Sequence, residues 1–225
     1  MLYAYPFELL KAIKHLRSLN NAVLFSRIRH GRYSLLSYEK MQALEQLGTQ
    51  VRSLNGDVVE CGSYNGGSAA ILARSSDKKI WLFDSFEGMP KPTPEDGEQV
   101  ADRYYVGWAK GSEERVHEVF RSLGLRSDSY VINKGWFQET FPKVSVAQIA
   151  LLHIDADWYE SVSLSLHKFY DAVVPNGYIV FDDYGHWEGC RTAVDEFLEK
   201  RNLNTRLTLL ADDAYYLRKD HKGDI

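Results

Sequence analysis

The sequence predicts an α/β fold, a doubly wound and mainly parallel sheet that ends in an antiparallel hairpin. Three observations carry this expectation. The apolar runs DVVECG, KIWLFDS, SYVINKG, IALLHID and GYIVFDD follow one another after Leu54. Segments of helical periodicity separate them, the rhythm of parallel strands joined by crossover helices. The last two runs, TRLTLLAD and AYYLRK, meet at Asp212 and Asp213 with no room for a helix, so they form a hairpin at the sheet edge.

In chain order, residues 1–54 read as an N-terminal helical extension and 55–225 as the main domain, a size that suits one core. The opening MLYAYPFELLKAIKHLRSL places apolar residues at helical spacing, broken by Lys11, Lys14 and Arg17. Such a stripe is expected to pack on a second subunit, giving a homo-oligomer; no run is long and apolar enough to span a bilayer. Arg27, Arg29, His30 and Arg32 form a short basic stretch, read as a solvated turn or as a contact for an anionic substrate group. The five strand runs are apolar throughout, as strands covered on both faces must be. Between the second and third runs lies GMPKPTPEDGEQVADRYYVGWAKGSEE, about 88–115, rich in Pro and Gly and carrying Tyr104, Tyr105 and Trp108. Its length and aromatic content predict a lid.

A net charge of -4 and a pI near 6.0 exclude a protein that neutralises nucleic-acid phosphates. Cys61 and Cys190 match no metal or disulfide spacing, which fits a reducing cytoplasm.

The element order, five parallel strands and a terminal hairpin, resembles that of class I methyltransferases, whose ligands sit beyond the strand carboxyl ends. GDVVECGSYNGGSAAILA reads as strand, glycine turn and helix, with Gly62, Gly66 and Gly67 allowing close backbone approach. The spacing is not that of a dinucleotide fingerprint. Glu60 before the turn would repel a pyrophosphate but suits a cationic amino-acid group, which points to S-adenosylmethionine. Asp84 and Ser85, at the end of the second run, could hold ribose hydroxyls or cap a helix. Trp136, after the third run, is an adenine platform or a packing residue.

Asp155 and Asp157 in IDADWYES, and Asp182 and Asp183 in FDDYG, each end an apolar run. If those strands are neighbours, several negative charges meet in one crevice, which demands a cation. Oxygen donors in that number suit Mg²⁺. Methyl transfer to a hydroxyl also needs a proton acceptor, for which Asp157 is the candidate, leaving Asp155, Asp182 and Asp183 for the metal. Helix capping by Asp157 or Asp183 is the alternative for either residue alone. His153 permits a zinc reading or is a hydrogen-bonded core residue, and His186 is an accessible partner of the cluster or a competing base.

The blocks VVECGSYNGGSA, WLFDSFEGMP, KGWFQETFP, IDADWYESV and FDDYGHWEGCRTAVDEF occur in order from about Gly56 to Phe197. They resemble the macrocin O-methyltransferase family of metal-dependent sugar methyltransferases of macrolide and aminocoumarin biosynthesis. The resemblance implies magnesium at Asp155, Asp182 and Asp183, a general base at Asp157, and S-adenosylmethionine contacts at Glu60, Gly62, Asp84, Ser85 and Trp136. Ser63 and Tyr64, in the same turn, are counted with these contacts. It further implies an acceptor sugar hydroxyl beside a second hydroxyl. His153 and Ala156 depart from the family pattern, and a surface polysaccharide, glycolipid or other glycoside stands beside a macrolide as the acceptor. The competing activities are a catechol-type O-methyltransferase, a non-catalytic S-adenosylmethionine-binding protein and a nicotinamide oxidoreductase.

Overall fold

A computed structural model describes residues 19–97, 100, 106–203 and 205–220. Most of the N-terminal amphipathic stripe, and Tyr104 and Tyr105 of the expected lid, lie outside the described residues.

The sheet has strand order β3-β2-β1-β4-β5-β7-β6. Its strands are β1 (Asp57–Cys61), β2 (Ile80–Asp84), β3 (Tyr130–Lys134), β4 (Ile149–Ile154), β5 (Val173–Phe181), β6 (Thr208–Ala211) and β7 (Ala214–Arg218). The five apolar runs are β1 to β5, all parallel, and β7 returns antiparallel against β5 with β6 outside it. β5 starts earlier than GYIVFDD suggests. Ile149 pairs with Val173 but Leu151 with Tyr178, so the Pro175–Asn176 stretch bulges out of register, with Asn176 at φ 65°.

Alternation along each strand divides the core between the two faces. Val58, Leu82, Leu151 and Val180 belong to one cluster; their neighbours Val59, Phe83, Leu152 and Phe181 belong to the other. The first face is covered by α1 (residues 19–30), α2 (Tyr38–Gln50), α3 (Gly67–Ser76) and α4 (Glu113–Ser122), which contribute Ile28, Met41, Leu44, Ile71 and Phe120. The second face is covered by α6 (Tyr159–Phe169) and α7 (Glu188–Lys200), through Leu166, Phe169, Val194 and Phe197, while the short α5 (Phe137–Thr140) follows β3. Thus α1 and α2 share a core with β1 and α3. Among the described residues no helix is long and apolar enough to cross a membrane.

Strand order reverses direction between β1 and β4, which opens a crevice beyond their carboxyl ends. The glycine turn after β1, Asp84 at the end of β2, and both acidic pairs after β4 and β5 fall there.

Candidate active site

One cavity of about 670 Å³ runs along the carboxyl ends of the strands. Gly62, Ser63, Tyr64, Asp84, Ser85 and Trp136 line one end; Lys40, Asp155, Asp157, Asp182, Asp183 and Asp213 line the other.

At the first end the chain leaves β1 in a tight turn, with Gly62 at φ 87° and Tyr64 at φ 47°. A Cβ on Gly62 would sit 1.7 Å from the carbonyl oxygen of Asp155, so only glycine fits. The Asp84 carboxylate accepts the backbone N–H groups of Ser63 and Tyr64 at one oxygen, both at 2.8 Å, and of Phe86 at the other, at 2.7 Å. It therefore pins the turn from β2 while facing the cavity. Burial raises its pKa against the lowering by those three N–H groups. The Ser63 hydroxyl is buried without a hydrogen-bond partner. Trp136 is 36 % exposed at the entry to α5.

Glu60 is placed differently from the sequence expectation. It lies under the turn rather than at its mouth, fully buried and absent from the cavity lining. The register of β1 and β4 sets it opposite His153, whose Nδ1 is 2.9 Å from its carboxylate. A buried carboxylate needs such a partner; the imidazole supplies it to Oε1, while Oε2 is buried without one. Burial opposes charge on His153, but Asp182 and Glu60 outweigh it and raise the ring's pKa to about 10. Its Nε2 lies 3.8 Å from Asp182 and falls in one potential ligand set with Asp155 and Asp182.

At the second end, ligand atoms of Asp155, Asp157 and Asp183 lie within 4.8 Å of one another, and Asp155 also belongs to the set with Asp182 and His153. The two acidic pairs therefore meet, as adjacent β4 and β5 require. Burial, then neighbouring carboxylates, push Asp155 and Asp183 well above the usual carboxylate range. Asp183 Oδ2 is buried with no hydrogen-bond partner. Asp155, Asp157 and Asp183 together offer oxygen donors alone, one of them orphaned, a set that fits a hard divalent cation. Asp157, at φ 55°, accepts the Trp187 indole N–H at 2.8 Å. Burial raises its carboxyl to about 6, with Trp187 opposing the rise and Asp182 adding to it.

Three residues outside the sequence expectation complete this end. Lys40, from α2, places Nζ 2.8 Å from the Asp182 carboxylate, 3.0 Å from its carbonyl and 2.7 Å from Asp213. Its signal was legible: a lysine on the buried stripe of α2, with Met41, Leu44 and Leu47. Asp96, 1 % exposed, closes a capping box on Thr93 and accepts the Tyr159 N–H at 2.7 Å, tying the segment after β2 to the start of α6. Trp187, the donor to Asp157, packs edge-on against Trp158, beside Met89 and Trp108 of the same segment. His186 lines the cavity, 3.5 Å from Asp213.

The glycine turn and the acidic cluster, both beyond the strand ends at the reversal point of this sheet, belong to a fold of the class I methyltransferase type. The chain belongs to the macrocin O-methyltransferase (TylF) family, whose model matches residues 29–219. It is 31% identical over 201 residues to the demethyldecarbamoylnovobiocin O-methyltransferase of Streptomyces niveus, covering 83% of this chain and 76% of that one. It is 30% identical over 176 residues to the mycinamicin III 3''-O-methyltransferase of Micromonospora griseorubida, covering 73% and 68%. Among solved structures, the O-methyltransferase NovP superposes with a TM-score of 0.76 at 28% identity, over 84% of this chain and 83% of that one.

Proposed function

We propose that the protein transfers the methyl group of S-adenosylmethionine to a hydroxyl of a sugar or glycoside, with Mg²⁺ held by Asp155, Asp182 and Asp183. The observation that carries this reading is the carboxylate cluster, one of its buried oxygens without a partner, at one end of a cavity whose other end is a glycine turn. The relatives' names extend it to glycosides, since novobiocin and mycinamicin derivatives are the molecules those enzymes are named for.

At the cofactor end, Gly62, Ser63 and Tyr64 offer backbone and a free hydroxyl, Asp84 and Ser85 offer acceptors for ribose hydroxyls, and Trp136 offers an apolar face for adenine. Glu60 lies beneath this end and holds His153, whose other ring nitrogen faces Asp182. When bound, the cation supplies Lewis acidity, lowering the pKa of an acceptor hydroxyl and orienting it. The acceptor oxygen forms its bond to carbon as the sulfonium carbon–sulfur bond breaks, the electron pair leaving on a neutral thioether. The hydroxyl proton passes to Asp157, whose carboxylate is held toward the cavity by Trp187. The described lid packing around Trp158 and Trp187 limits water at that carboxylate.

Incubation with labelled S-adenosylmethionine and a panel of deoxysugar glycosides and nucleotide sugars, with and without EDTA, tests the reading. Label is expected in a glycoside and is lost on chelation. Transfer that persists under complete chelation removes the metal, and transfer to vicinal phenols alone replaces the sugar acceptor.

A further inference from the structure

We propose that Lys40 is the protein's own counter-charge at the acidic end: its ammonium group clasps Asp182 to Asp213 and competes with the divalent cation for their charge. The inference rests on the metal reading above.

Among the described residues, Lys40 is the one lysine or arginine lining the cavity. Its three N–H donors have three oxygens to meet, the carboxylate and the carbonyl of Asp182 and the carboxylate of Asp213. A fully engaged ammonium group has no donor to spare for substrate, so its role is electrostatic and positional. Lys40 is also 8 % exposed, on the stripe by which α2 meets the core, where an unpaired lysine would be strongly disfavoured. The two carboxylates and the carbonyl within hydrogen-bond reach reverse that preference. A second link joins the same elements: the Ser37 hydroxyl, at the α2 N-cap, donates to Asp212 at 2.5 Å. Helix α2 is thereby fastened to the β6–β7 turn across the mouth of the acidic end.

The clasp divides the oxygens of Asp182. Oδ2 belongs to Lys40, while Oδ1 faces His153. A divalent cation there shares a carboxylate with a fixed positive charge, and the two cations repel. Lys40 therefore stabilises the empty site and weakens cation binding, so that full loading awaits the extra oxygens of an acceptor.

The test measures Mn²⁺ as a Mg²⁺ surrogate, by electron paramagnetic resonance of the free aqua ion, without acceptor. Thermal midpoints are taken in EDTA and in Mn²⁺ for the wild type, Lys40→Met and Lys40→Arg. Lys40→Met is expected to lower the EDTA midpoint, to recover more in Mn²⁺ than the wild type does, and to bind Mn²⁺ roughly tenfold or more tightly, as removal of a close like charge requires. Lys40→Arg keeps the charge and stays near the wild-type affinity. Unchanged or weaker Mn²⁺ binding in Lys40→Met overturns the inference, because a purely structural lysine would lower affinity as it lowers stability. Should Lys40→Met not fold even with Mn²⁺, Asp213→Asn decides, since Asp213 is a third exposed. It leaves the ammonium charge to Asp182 alone and is expected to weaken Mn²⁺ binding; unchanged or tighter binding again overturns the inference. A wild type that takes up no Mn²⁺ removes the metal reading and this inference together, whereas wild-type uptake with the wrong response in the variants removes only the inference.

Discussion

The two ends of the cavity are built by opposite means. At the glycine turn, the charged group is satisfied: Asp84 accepts three backbone N–H groups, and its placement is complete without a ligand. At the acidic end, Asp183 keeps an unpartnered buried oxygen, and Asp155 and Asp183 are pushed up by burial and by their neighbours. One end is preorganised by backbone hydrogen bonds, the other is held in tension by like charges. The contrast separates a carboxylate that the backbone has already satisfied from carboxylates left to repel one another, and it can be broken from either side.

The largest effect is expected from Asp155→Asn, which belongs to both potential ligand sets. Methyl transfer should fall by about 10³-fold or more, while the metal-free protein gains on the order of 1 kcal/mol from relief of repulsion. Lower stability in a chemical denaturation series with EDTA would contradict a tensioned acidic end. Asp157→Asn should lower kcat by about 10²–10⁴-fold and leave S-adenosylmethionine binding intact, as calorimetry can show. Preserved sugar turnover in this variant removes Asp157 from the proton-acceptor role.

On the preorganised side, Gly62→Ala forces a Cβ onto the Asp155 carbonyl and should cost about 3 kcal/mol or more of stability, with both ends of the cavity disturbed. Asp84→Ala should cost on the order of 2 kcal/mol, since it strips three buried N–H groups of their acceptor, and should weaken cofactor binding more than cation binding. Equal weakening of both would show that the two ends are not independently built. Trp187→Phe is the smallest step, about 1 kcal/mol for one hydrogen bond to Asp157, read as a modest drop in kcat at unchanged Mn²⁺ affinity.

Most of the sheet was legible because each of β1 to β5 is a compact apolar run and the β6–β7 connection is too short for a helix. β5 alone extended past its reading, since Pro175 and Asn176 look like a boundary yet form a bulge. Placement of the acidic pairs followed from strand adjacency, whereas the destination of Glu60 did not. Whether a carboxylate at a strand end turns toward the cavity or toward the next strand depends on which residue stands opposite, and His153 is 93 positions away. Lys40 was hidden for a related reason: its partners are 142 and 173 positions downstream, though its place on an apolar stripe was visible. Asp96 carried a local signature, Thr93 to Asp96, but its bond to Tyr159 is a tertiary fact.

The absence of a side chain at Gly62 sets a length scale. Because its backbone nearly touches the Asp155 carbonyl, the glycine turn and the loop that opens the acidic end are separated by the thickness of one peptide chain, anchored in adjacent strands β1 and β4. On the proposed reading, the span a methyl group crosses is then a property of the sheet, insulated from changes in the 88–115 segment or in α2. Acceptor preference can drift through those outer parts while the transfer distance stays put.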